Sequence, residues 1–140
     1  MTQIPHELLQ AYLATIYEAQ TGEATPLALR IGEHSPRLLA AHRKANVDAS
    51  LFITAFNPEG QALSADENEV RHQDLLNVLR DCAPVLFEGR GYSPANNWEE
   101  RSVLALGVPL TMARRLGTRF GQNAIVWSGA DAVPRLILLR

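Results

Sequence analysis

Twice in its second half the chain follows one extended segment with another: "PVLFEG" with "WEERSVLALG", and "NAIVW" with "PRLILL". Between the two pairs lies one helical stretch, "PLTMARRLGTRF". Strands that succeed each other without a crossover helix argue against the strict alternation of a doubly wound α/β fold and for a mixed or largely antiparallel sheet. The reading is α+β, a central sheet packed with three to four helices. Several strands, "LFITAF" and "LILL" most clearly, are apolar at consecutive positions, which predicts a sheet centre covered on both faces.

The rest of the chain fills in around these pairs. A short helix is expected from Pro5 to about Tyr12, before "YLATIYEA" turns extended, and "LALRIG" is a short strand after the turn "TGEATP". "HSPRLLAAHRKAN" reads as a helix with Ser35 at the N-cap, Pro36 at the first helical position and Asn46 at the C-terminal cap. "SLFITAF" is a strand closed by the turn "NPEG". "SADE" at Ser64 to Glu67 matches a capping box and opens a helix that should run to about Cys82. The loop "RGYSPANN" is expected between the first late pair of strands. With 140 residues and no linker, repeat or low-complexity tract, one globular domain over 1–140 is expected.

Composition removes several function classes. Thirteen basic side chains against 15 acidic ones provide no global field to gather nucleic acid or an anionic membrane. No uncharged apolar run approaches membrane-spanning length, and "MTQIPHELLQ" has neither a basic n-region nor an apolar h-region. The single Cys82 cannot form an internal disulfide, so a reducing cytoplasm is the expected location and a buried structural thiol its expected role. His6, His34, His42 and His72 lack any spacing that lets metal ligands converge, so no metal and no cofactor is expected. Gly89 and Gly91 lack the third glycine of a dinucleotide fingerprint and precede a strand rather than a helix. Arg114, Arg115 and Arg119 lie off the apolar stripe of their helix and read as a solvated face.

Polar residues in apolar settings are the candidates for chemistry. Glu99 and Glu100 are adjacent on a strand and must point to opposite faces, so at most one serves a site. Asn68, Arg71 and His72 continue the core-facing stripe of the capped helix, either reaching into a cleft or tying "FNPEG" to the helix. Glu67 reads first as the capping-box partner. Arg30, if buried in "LALRIG", needs a ligand anion or a carboxylate, for which Glu67 and Glu100 are candidates.

Together "FITAFNPEG", "ENEVRHQDL", "GRGYSPANNWEERSVLALG", "LGTRFGQNAIVW" and "PRLILLR" resemble the bacterial family catalogued as domain of unknown function 3293, over about Tyr12 to Arg140. The resemblance implies a small bacterial cytoplasmic protein with polar signatures at "FNP", "EN", "WEE" and "GQN", and it implies no activity. These signatures lie at element ends, where sites on mixed scaffolds form. If they converge, Asn57, Asn68, Glu100, Gln122 and Asn123 make an amide-rich pocket roofed by Tyr92 and Trp98, suited to a small polar molecule. Three functions follow as expectations: a binding or regulatory domain using that cleft; an enzyme with Glu100 or Glu67 as acid or base and Arg30 or Arg71 stabilising an anion; or an interaction module whose edge strand or last helix meets a protein partner or a second copy.

Overall fold

A computed structural model describes residues 4–95 and 97–140. Four α-helices and seven strands are present among the described residues: α1 (His6–Ala14), β1 (Ile16–Ala19), β2 (Leu27–Leu29), α2 (Pro36–Ala45), β3 (Ser50–Ile53), α3 (Ala65–Arg80), β4 (Val85–Ser93), β5 (Trp98–Leu106), α4 (Leu110–Arg119), β6 (Ala124–Ser128) and β7 (Arg135–Leu138). The strands form a single sheet in the order β2-β1-β4-β5-β3-β6-β7, and every neighbouring pair is antiparallel. The fold is α+β, as expected.

Local signals act where the sequence places them. The Ser35 side chain accepts from the Leu38 amide at the start of α2, and Asn46 ends that helix in the left-handed conformation that asparagine tolerates. Ser64 and Glu67 close both arms of the capping box on α3. "NPEG" forms a single 3-10 turn over Pro58–Gly60, entered through Asn57 at φ 46°.

The two faces of the sheet are covered differently, and the site follows from this. On one face Leu51, Ile53, Val103, Ala105 and Ile125 pack against Leu75 and Leu79 of α3 and Leu116 of α4. On the other, Leu38 of α2 packs with Phe52, Leu104, Leu106 and Val126. These contacts explain why β3 is buried at all four positions. α2 covers the end of this second face where β5 finishes; where β5 begins, α1 stands off the sheet without burying any residue.

Three expectations are corrected. "RGYSPANN" is half strand rather than all loop: β4 continues through Ser93, residues 94, 95 and 97 belong to the turn to β5, and 96 lies outside the described residues. "PRLILL" is an edge strand with no fully buried residue rather than part of a doubly covered centre. Arg30 lies just beyond β2, exposed and 3.8 Å from Glu33, so it is neither buried nor matched with Glu67 or Glu100.

Gly89 and Gly91 occupy neighbouring inward positions on β4 but have different neighbours. A Cβ on Gly89 would stand 2.3 Å from the Glu18 carbonyl oxygen, whereas one on Gly91 meets only side chains at 3.6 Å or more. Gly89→Ala should therefore lower stability by about 1–3 kcal/mol, while Gly91→Ala should change it by less than about 1 kcal/mol. Urea denaturation of the two variants beside the parent chain measures the contrast.

Candidate functional site

A cavity of about 600 Å³ opens between α1 and the uncovered end of the sheet. Its floor is set by strand register. Gly91 pairs with Tyr17 on one side and with Glu100 on the other, so one row across β1, β4 and β5 reads Tyr17, Gly91, Glu100. Strand parity puts Gly89, Gly91 and Ser93 of β4 on the same face. Of these, Gly91 and Ser93 border the space that the flanking side chains enclose, whereas Gly89 is closed over by the Glu18 carbonyl. Tyr12 of α1, Thr15, Phe52, Trp98 and Ser102 complete much of the lining.

The polar side of the cavity is organised by Asn57. Its side-chain Nδ2 donates to Glu100 Oε2 at 2.9 Å, and its Oδ1 accepts from the Leu63 amide at 3.0 Å and from Asn68 Nδ2 at 2.9 Å. Asn68 Oδ1 in turn accepts from the Asn57 backbone amide at 3.0 Å. Asparagine suits this position twice over, since it tolerates the left-handed backbone and its amide supplies a donor and an acceptor together. The link between "FNP" and "EN" is therefore an internal network, and it holds one carboxylate at the cavity wall.

Glu100 is half-buried, and among the described residues no cationic side chain lies within salt-bridge distance of it. Burial pushes its carboxyl up to about 7, although the hydrogen bond from Asn57 favours the charged form. Glu99 faces the other way and pairs with Arg90 at 2.8 Å, as alternation along the strand requires. The Tyr12 phenol is raised by burial, which outweighs the opposing hydrogen bond with Asn123 and acts in the same direction as the charge of Glu100. Tyr17 is also raised by burial, and its hydroxyl donates to the Tyr12 carbonyl at 2.7 Å.

"GQN" supplies the far wall. Gln122 directs its amide nitrogen to the carbonyls of Phe56 at 3.1 Å and Phe120 at 3.2 Å, fixing the approach to β6, and it also lines the cavity beside Asn123. Asn57, Trp98, Glu100, Gln122 and Asn123 thus surround one space, with Asn68 behind Asn57.

Four candidate residues stand elsewhere. Tyr92 has the wrong strand parity and lies on the opposite face, with the Arg90 guanidinium 4.2 Å above its ring. Glu67 is exposed and held below the usual carboxylate range by the side chain and backbone of Ser64. Arg71 donates from Nε to the Ala55 carbonyl at 2.7 Å and from Nη2 to the Phe120 carbonyl, so its guanidinium ties β3 to the end of α4. Arg30 is remote, as described above. Tyr12, Thr15, Tyr17, Gly91, Ser93 and Ser102 line the cavity without being among the residues expected from the sequence. The available signal was the recurrence of small residues at 89, 91 and 93, whose period of two marks the open face of a strand.

"FNP", "EN", "WEE" and "GQN" all lie within residues 53–125, the segment matched by the family model described as protein of unknown function DUF3293. The chain belongs to the DUF3293 family. No curated protein and no solved structure matches it. The DUF3293 segment holds Asn57, Gly91, Glu100 and Gln122, whereas Tyr12 and Tyr17, which close the cavity from α1 and β1, come from outside it.

Two predictions arise here. Asn57→Gly keeps the left-handed backbone unstrained and removes the side-chain bonds, so it should cost about 1–3 kcal/mol in chemical denaturation. Glu100 is more readily protonated in the folded chain than in the unfolded one. Its contribution to stability is present in full below the ordinary glutamate pKa of 4.5 and is lost as pH rises towards about 7. Glu100→Gln should therefore gain on the parent between pH 4.5 and 8, by on the order of 2–3 kcal/mol at pH 8. Paired melts of parent and variant across that range measure the difference.

Proposed function

We propose that this chain is a small-molecule-binding domain whose ligand occupies the cavity over Gly91. The supporting observation is the partly open space of about 600 Å³, bounded by aromatic rings on one side and by Asn57, Glu100, Gln122 and Asn123 on the other. Volumes of roughly 300–1,000 Å³ with few placed polar groups suit small ligands and cofactors. Amides do not titrate, so most of the polar wall serves recognition. A cytoplasmic setting in a bacterium accords with the reading. Among the described residues no helix is long and apolar enough to cross a membrane, and burial raises the Cys82 thiol, which argues against a reactive thiolate.

One observation favours a second reading, an enzyme in which Glu100 transfers a proton, because its carboxyl is pushed up to about 7. An anion stabiliser is the missing part of that mechanism: Arg71 is engaged with backbone carbonyls and Arg30 is remote.

The test is a fragment screen by protein-observed NMR with the parent and with Gly91→Leu, whose side chain projects into the cavity. Binding on this reading shifts amides of β1, β4 and β5, and Gly91→Leu weakens it at least tenfold while remaining folded. Fragments that bind both proteins equally, or that shift only other surfaces, would remove the cavity as the site.

A further inference from the structure

We propose that the cavity receives an organic cation, an ammonium or amidinium group on an apolar body, with Glu100 as counter-ion and Tyr12, Tyr17 and Trp98 as its aromatic wall. The inference rests on the binding reading and adds the charge class of the ligand.

Among the described residues the cavity is lined by one carboxylate and by no lysine, arginine or histidine. Nearby guanidinium groups are held elsewhere: Arg71 on two backbone carbonyls, Arg90 on Glu18 and Glu99, and Arg101 on Glu69 and Glu88 across the opposite face of the sheet. An anionic ligand would find no cationic side chain in the lining and would have to keep Glu100 protonated to avoid a like charge. A cation meets a fixed acceptor, because Asn57 holds Oε2 and so sets the orientation of the carboxylate.

The aromatic residues support the same choice. Tyr17 and Glu100 flank Gly91 in one row, and a Cβ at Gly91 would lie 3.7 Å from the Tyr17 ring and 3.9 Å from the Trp98 ring. The space above that glycine therefore touches two aromatic rings and adjoins a carboxylate, and Tyr12 faces it from α1. Aromatic faces attract cations most strongly where water is excluded, and a carboxylate beside them supplies the neutralising charge. Phe52, in edge contact with Tyr17 at 5.3 Å between centroids, extends the apolar floor for the ligand body.

Binding is coupled to a proton. The groups facing Glu100 are the phenols of Tyr12 from α1 and Tyr17 from β1, with Asn57 the hydrogen-bond donor. Both phenols are raised and stay neutral near pH 7. Glu100 is then the group that changes charge: it loses its proton to the buffer as the cation enters, so affinity rises with pH from 5 towards 8.

The experiment uses matched probe sets: tryptamine and phenethylamine, their alcohol counterparts, and their carboxylate counterparts, titrated calorimetrically into the parent chain and Glu100→Gln. Expected is binding of amines about 10–100-fold tighter than the alcohols, negligible binding of the carboxylates, and loss of the amine advantage in Glu100→Gln. Proton release at pH 6, read by comparing two buffers of different ionisation enthalpy, should accompany amine binding. Alcohols binding as tightly as amines, or an amine advantage that survives in Glu100→Gln, would overturn the charge assignment and leave the binding reading intact. Tighter binding of carboxylates would do the same. Failure of all three sets at millimolar concentration would count against both. Amide spectra of Glu100→Gln, which retains an acceptor for Asn57, check that the variant is folded.

Discussion

The side chain of Asn57 ties three separate parts of this molecule together. It opens the turn that follows β3, in a backbone conformation most residues avoid, and joins that turn to Leu63, α3 through Asn68, and β5 through Glu100. Each bond satisfies a group that folding removes from water, and the last of them sets where a carboxylate stands at the cavity wall. Loss of this residue would remove the tie between the helix layer and the rim of the site. Structure and recognition are therefore not separable at Asn57: the network that stabilises the turn also orients the polar wall.

The cavity itself depends on what β4 lacks. Seven antiparallel strands with helices on both faces would ordinarily fill both faces, and at the β5 end of one face they do, through Leu38, Leu104 and Leu106. Towards the other end β4 presents Gly91 and Ser93, and α1 approaches without burying a residue. Space that could have been apolar core is left open beside a half-buried carboxylate. Leaving it unfilled forgoes the contacts that packing there would supply. Its placement beside Glu100 and four aromatic rings is the physical reason to read it as a ligand site rather than as loose packing.

Much of the architecture could be read from short-range rules. Ser35, Asn46, and the Ser64 and Glu67 pair act at helix ends through bonds that span a few residues, so the chain states them locally. The α+β class followed from consecutive strands, and the opposite facing of Glu99 and Glu100 followed from the pleat alone. What was not legible depended on register and strand order. Nothing local tells that Gly91 lies between Tyr17 and Glu100, or that β7 is an edge. The place of Tyr92 turns on whether "RGYSPANN" is loop or strand; as a strand, its parity turns that ring away from the cavity. Arg71 and Arg30 illustrate the limit for charges: the sequence shows that a cation exists, but only the fold shows whether backbone carbonyls or solvent surround it.

The central claim is that Glu100 is a sheltered carboxyl facing open space without a cationic partner. Its titration followed through the side-chain carbon resonance, in the ligand-free protein with Asp and Glu carboxyls labelled with carbon-13, tests this directly. The account predicts a midpoint pushed up to about 7, moving downward when an amine is bound. A midpoint near the ordinary glutamate value of 4.5, unchanged by amines, would mean that Glu100 is solvated or paired, and would contradict the site described above.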